Sequence, residues 1–397
     1  MSTLKVDAIR HNSATSDSLV LSNDGSVAIG TCTAKLTSIG GGGLSHRNII
    51  VNGAMTVAQR GSSVSATSGG YTTVDRFLQS VSNLNNNPDV AQASISSGGA
   101  YDAGFRKSYK VTNGNNNADS NDQSKIHYKI ESQDVACSGW NSVDSNSKVT
   151  FSFWVKSSVA QTFVIHIHAD DSDKVYAFEY SATTSWTKIT HTIPGASGLT
   201  FNNDNGVGLN IQWYLYMGTD KTDNSFTYNA WGSHNGSARS RDMTTTWQTT
   251  DDATFEITGV QLEVGDTATS FEHRRFGEEL LRCQRYFYQS SHWGTSSGTG
   301  YAALGINYTG YQTAVGNWIW VNVYWPVVMR AAPTVDTSDQ VGNTGNKHSI
   351  FTSTGGQRTN NVSNYHTSSY NDHCTVSNYN SQKYGMQVSG VRADAEL

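Results

Sequence analysis

At 397 residues the chain is too long for one ordinary core, and two or three domains are expected. Charged residues make up only 15%, the net charge is −5 and Gly numbers 37. With Ser, Thr and Asn crowding the connections, this balance suits β-structure with polar, uncharged surfaces and leaves few strong helix formers. No broad basic field draws nucleic acid or an anionic membrane surface, so neither is an expected partner.

The opening residues "MSTLKVDAIRHNSATS" lack the apolar core of a signal peptide, and no run of about 18 apolar residues occurs. The expectation is a soluble chain made in the cytoplasm, with no membrane insertion. Cys32, Cys137, Cys283 and Cys374 stand far apart without a C-x-x-C pair, which argues for free thiols rather than a zinc site or a disulfide framework.

Residues 1–36 hold two short alternating runs, "LKVDAI" and "SLVLSNDGSVAIG", with a turn at Asn23–Ser26. So little apolar surface orders only by docking or by winding with copies of itself, because isolated hairpins are marginal in water. Residues 37–45 contain four consecutive glycines, Gly40 to Gly43, and read as a flexible linker.

From 46 to 275 short strands recur between turn signals. "VTFSFWVKSS" places Val149, Phe151, Phe153 and Val155 on one face and Thr150, Ser152, Trp154 and Lys156 on the other. "VGLNIQWYLYMG" sets Val207, Leu209, Ile211, Trp213, Leu215 and Met217 against Asn210, Gln212, Tyr214 and Tyr216. With "FVIHIHAD", "KVYAFEYS", "WTKITHTI" and "TFEITGVQLEV", these strands predict an antiparallel jelly-roll sandwich, in a chain that is mainly β.

Residues 276–290, "FGEELLRCQRYFYQS", form the one short linking helix. Phe276, Leu280, Cys283 and Phe287 recur at helical spacing. Glu278 and Glu279 in the first turn and Arg282 and Arg285 near the last complement the helix dipole, with Glu278 and Arg282 as an i,i+4 pair. From 291 to 397 a separate C-terminal β domain is expected. There Ile319, Val321 and Val323 share one face, Trp318, Trp320, Asn322 and Tyr324 share the other, and Pro326 ends the strand.

Catalytic patterns are absent: no G-x-S-x-G, H-E-x-x-H or P-loop occurs, and nothing points to the paired carboxylates of a glycosidase. No enzyme is expected. His166 and His168 share a strand face and are weak candidates for a transition metal, while "ADDSD" with Asp170, Asp171 and Asp173 reads as a solvated turn lacking an EF-hand's spacing. Flat aromatic rings stack on sugars at small entropy cost, so Trp318, Trp320 and Tyr324 are receptor candidates, alternatively buried in a subunit interface. Tyr365, Tyr370 and Tyr379, set among Asn and Ser with Tyr384, have the composition of adaptable binding loops.

Four stretches, "NIIVNGAMTVAQRG", "YTTVDRF", "KVTFSFWVKSSVAQTFVIHI" and above all "EITGVQLEVGDTATSFEHRRFGEELLRCQRYF", resemble tail-fibre and other virion appendage proteins of marine tailed bacteriophages; the "STLKVDAI" pattern and the terminal "RADAEL" share in it. The 46–275 region also resembles carbohydrate-binding jelly rolls. The resemblance implies a homotrimer located in the virion, attached to other virion proteins through residues 1–36, with a C-terminal part that contacts host-surface glycan. Such modules often carry a structural calcium, but "NGAMTVAQ" offers no carboxylate and only Glu263 remains on the matching closing strand, so no cofactor is expected. The leading expectation is thus a non-enzymatic glycan-binding fibre. The alternative is a capsid or tail decoration without receptor binding, and a polysaccharide depolymerase ranks third.

Overall fold

The computed structural model describes residues 47–114, 117–290, 325–338, 344–345 and 390–397, together with the strands Ala8–Ile9, Leu19–Leu21, Val27–Ile29, Tyr308–Tyr311, Ile319–Tyr324, Lys347–Thr352, Gln357–Asn361, Asn364–Thr367, Asn371–Val376 and Tyr384–Val388. The Gly40–Gly43 linker lies outside the described residues. Residues 1–47 and 48–397 are two compact units. In the first, Ala8–Ile9, Leu19–Leu21 and Val27–Ile29 pair as an antiparallel meander.

In the second unit two six-stranded sheets form the jelly-roll sandwich. The first runs, edge to edge, Gly232–Ser233, Lys174–Ala182, Gln161–Ala169, Val207–Met217, Gln123–Glu131 and Phe77–Ser82. The second runs Thr187–Pro194, Lys148–Ser157, Thr254–Val264, Lys107–Thr112, Asp89–Ser94 and Ser63–Val64. Their pairings are antiparallel. Between them lies a core in which Phe77, Phe151, Phe153, Phe163, Trp213 and Trp247 are fully buried. All but Trp247, which comes from the short helix Thr246–Thr249, belong to the inward set of the period-2 strands, since successive side chains of a pleated strand take opposite faces.

The alternation predicted for Val207–Met217 holds through Leu209, Ile211, Trp213 and Leu215 and then changes. A register shift between Tyr214 and Tyr216 turns Met217 away from the central core. Met217 joins Tyr214, Val164 and Ala177 in a second cluster on the outer face, where Phe226, Tyr228 and Met243 of the 218–245 segment pack over it. Tyr214, expected outward and polar, is therefore fully buried.

The opening and closing segments are tied through Asn48. Its Nδ2 donates to the Val260 carbonyl and its Oδ1 accepts the Leu262 and Ile50 amides, all at 3.0 Å. The predicted helix is present over Phe276–Gln284, after which Phe287–Gln289 pairs as a strand with Gly390–Asp394 instead of continuing the helix to 290. Glu278 and Arg282 meet at 3.4 Å as the spacing suggested. Cys283 is buried, but Phe276 is 59% and Leu281 47% exposed. Glu279 turns inward because its Oε1 accepts the Asn52 amide at 2.5 Å and stands 3.6 Å from Arg274. A polar tie, not the apolar stripe alone, sets the face of this helix.

Gly390–Asp394 also pairs with Thr334–Ser338. The residues that follow it lie against the sandwich, where Arg60 contacts Asp394 at 3.0 Å and Glu396 at 3.3 Å. The Ile319–Tyr324 strand ends before Pro326, and its Val323 is buried.

Candidate functional site

Trp154 lies on the outer face of the second sheet, opposite Lys188 in one neighbour and Thr258 in the other. Trp186 sits in the turn that leads into Thr187–Pro194. Both rings are half-buried, and with Tyr101 and Phe271 they pack against Ile95, Ala100 and Phe105. Two close backbone approaches seat them. A Cβ at Gly99 would stand 2.8 Å from Trp154, and one at Gly98 3.3 Å from Trp186. At Gly259, with φ +61°, a Cβ would lie 2.6 Å from Phe105 and 3.0 Å from Trp154. That glycine falls where the Thr254–Val264 strand changes register against Lys148–Ser157, the mark of a bulge that re-aims side chains.

Polar groups border the rings. Lys156 Nζ is 5.5 Å from the Trp186 ring centre and 3.0 Å from Glu256 Oε1, while Glu256 Oε2 accepts from Ser108 Oγ at 2.7 Å. The Arg106 guanidinium lies 3.7 Å over the Tyr101 ring. Half-open aromatic faces beside fixed donors and acceptors match the chemistry of a sugar, whose C–H faces stack while its hydroxyls exchange hydrogen bonds.

Of the residues singled out in the sequence, Tyr324 is 67% exposed. Trp320 and Tyr365 belong to the strands Ile319–Tyr324 and Asn364–Thr367, at positions where only the backbone is described. Trp318, Tyr370 and Tyr379 lie outside the described residues. Glu263 is buried and committed to its own turn: Oε1 accepts from the Thr269 amide and Gln261 Nε2, and Oε2 from Thr269 Oγ1.

The two histidines of the H-x-H pair differ. His166 is 1% exposed, stacks on Tyr214 with ring centres 5.2 Å apart, and neither ring nitrogen has a hydrogen-bond partner among the described residues. Burial, then the neighbouring His168, holds its pKa well below the ordinary histidine value. His168, only half-buried, meets Asp170 at 2.5 Å through Nδ1 and Asp173 at 3.0 Å through Nε2. Burial lowers its pKa, but the hydrogen bonds to those two carboxylates outweigh that and raise it. His234 joins them, with Nδ1 3.4 Å from Asp173 Oδ1 and its ring centre 4.4 Å from that of His168. Asp171 faces away, accepting from Ser132 Oγ and from Asn202. The "ADDSD" turn is thus partnered on both sides rather than simply solvated.

Sequence reasoning placed Trp154 outward but gave no sign of Trp186 beside it. The pairing depends on the register of Lys148–Ser157 against Thr187–Pro194, which alternation alone does not fix. His234 was equally hidden, since it reaches His168 through the edge strand Gly232–Ser233.

No family model matches the chain, and no curated protein matches it in sequence. Among solved structures it overlaps the family 11 carbohydrate-binding module of the Clostridium thermocellum cellulase Lic26A-Cel5E at 12% identity and a TM-score of 0.25, covering 52% of this chain and 94% of that one. The xylan-binding domain CBM22-1 of Paenibacillus barcinonensis Xyn10C overlaps at 12% and 0.24, covering 52% and 94%. The N-terminal cellulose-binding domain of Cellulomonas fimi β-1,4-glucanase C overlaps at 9% and 0.23, covering 52% and 99%. At such low scores the overlap does not bear on what the chain binds.

Proposed function

We propose that the chain is a non-enzymatic glycan-binding appendage of a tailed-phage virion. In this reading residues 1–36 attach it to other virion proteins, three copies assemble, and host-surface glycan is held during adsorption. The observation that carries the binding reading is the half-buried Trp154–Trp186 patch with Lys156 beside it, held from behind by the buried Glu256 and Ser108. Glu256 is buried, and its two oxygens are engaged by the Lys156 ammonium and the Ser108 hydroxyl, so its part is to hold Lys156 in place beside the rings. The exposed Phe276 and Leu281 side chains fit self-association. Single glycan contacts are weak, and several copies on one particle raise avidity through effective concentration.

The test is calorimetric titration of the full-length protein with host-surface polysaccharide, repeated on Trp186→Ala and Tyr324→Ala. Binding weakened more than about tenfold by Trp186→Ala, a loss of about 1.4 kcal/mol, supports the sandwich patch as the site. A loss confined to Tyr324→Ala moves the site to the C-terminal strands. Excess protein is also added to host cells before phage. Undiminished phage adsorption in the presence of a folded oligomer transfers the reading to a structural decoration, and release of reducing sugar ends transfers it to a depolymerase.

A further inference from the structure

Apart from the aromatic patch, the second concentration of chemistry in the described residues lies at the far end of the first sheet. The Gln161–Ala169 and Lys174–Ala182 strands form a hairpin whose short 3-10 turn, Asp170–Ser172, ends at Asp173 in the left-handed region, φ 48° and ψ 43°. Asp is one of the few residues that adopts this conformation readily. There it directs its carboxylate back toward His168 at the end of the first strand. The edge strand Gly232–Ser233 pairs with Lys174 and Val175, and the His234 amide donates to the Asp173 carbonyl at 3.0 Å. Backbone pairing thus delivers His234 from a distant segment to the same carboxylate.

We infer that His168, His234 and Asp173 form a binding site for a first-row divalent transition-metal ion such as Zn²⁺. One ligand atom from each of the three lies within 4.8 Å of the others. The Asp173 oxygen stands 3.0 Å from His168 Nε2 and 3.4 Å from His234 Nδ1. In a tetrahedral site with bonds of about 2.0–2.1 Å, ligand atoms stand roughly 3.3–3.4 Å apart, so the two edges at Asp173 already approximate those of such a site, and the two imidazoles, within 4.8 Å of each other, need only close on the ion.

The outer contact has the matching form. His168 Nδ1 is held by Asp170 at 2.5 Å, which orients the ring and leaves Nε2 to face Asp173 and His234. A carboxylate on the far nitrogen of a ligating histidine is the arrangement that fixes the tautomer and raises ligand basicity at metal centres. Two imidazoles select a transition metal over calcium or magnesium, which prefer oxygen ligands. Asp173 is 71% exposed, which leaves the fourth position accessible to a solvent ligand. His166, though on the same strand face, takes no part: it is sealed against Tyr214, with its ring centre 6.5 Å from that of His234.

The experiment uses the full chain without a histidine tag, stripped with chelator. It is titrated with Zn²⁺ by calorimetry and with Co²⁺ by visible absorption. The expected result is one saturable site per chain and the strong d–d absorption of four-coordinate Co²⁺. Asp173→Asn, which tolerates the same left-handed backbone, and His234→Gln each weaken Zn²⁺ binding more than tenfold. Asp170→Asn, outside the ligand set, weakens it by about 10- to 100-fold. Circular dichroism of the metal-free variants establishes that they are folded. Absence of a saturable site, or undiminished binding in both folded Asp173→Asn and His234→Gln, overturns the proposal and leaves the cluster as an ion-paired tie between hairpin and edge strand.

Discussion

Arg76 and Glu396, 320 residues apart in sequence, form an ion pair in which both side chains are sealed from solvent, at 1% and 4% exposure. The guanidinium lies 3.4 Å over the Tyr286 ring and also donates to the Lys129 carbonyl. Removing one partner of such a pair leaves an uncompensated buried charge, which costs about 3–5 kcal/mol. Glu396→Ala is therefore expected to lower the thermal midpoint by several degrees. The double variant Arg76→Met/Glu396→Leu, which removes both of these charges and leaves Arg60 with Asp394 and Asp75, is expected to recover part of that loss. Calorimetric melts of the three proteins decide it, and a double variant as unstable as the single one contradicts the account.

Gly259→Ala adds a methyl 2.6 Å from the Phe105 ring at a backbone φ of +61°. Left-handed strain contributes about 1–2 kcal/mol and overpacking about 1–3 kcal/mol, so a loss of about 2–5 kcal/mol in urea unfolding is expected. Because the same methyl meets Trp154, the variant also shifts tryptophan emission and weakens polysaccharide binding. A variant with parental stability argues that the bulge relaxes freely.

Burial pushes the Asp75 carboxyl from 3.8 up to about 6, against the opposing hydrogen bond from Gln59 and the charge of Arg60. Between those values the folded protein holds a proton that the unfolded chain has released. The contribution to stability is full below about pH 4 and is lost as pH rises through 6. Relative to the parent, Asp75→Asn therefore gains about 2–3 kcal/mol between pH 4 and 7. Urea midpoints at both pH values test this, and a constant difference between the two proteins would sink it.

His127 moves the other way. Burial, then the charge of Lys125, lowers its pKa from 6.5 to about 3, although Asn210 accepts a hydrogen bond from its ring at 3.1 Å. Its contribution is present above about pH 6.5 and is lost as pH falls toward 3. Over the interval from 6.5 to 4 the parent should lose about 3 kcal/mol that His127→Gln does not. Parallel acid titrations of the two, followed by circular dichroism, supply the comparison.

The sandwich was legible because its strands are long and strictly alternating: Phe151 and Phe153 face the core as their spacing says. Tyr214 escaped that logic, since the 218–245 segment that covers it has no apolar period of its own and the register shift beside it is a local event. The helix was legible as a helix, and Cys283 and Phe287 are buried as their spacing says, yet Glu279 lies inside and Phe276 outside the expected face. A hydrogen bond to the Asn52 amide, 227 residues away, decides the orientation. The aromatic patch and the histidine cluster were half legible: Trp154 and His168 stood on readable strands, while Trp186 and His234 reach them only through cross-strand pairing.

Asn48 has a kinetic consequence. Its side chain bridges to Val260 and Leu262, 212 and 214 residues along the chain. Loop closure over such a span comes late, because its entropy is lost before the contact repays it. Local hairpins such as Gln161–Ala169 with Lys174–Ala182 are therefore expected to form before the Thr254–Val264 strand is in place. Refolding should be slow, on the seconds side of the range for all-β domains, and most prone to intermolecular strand pairing during that interval.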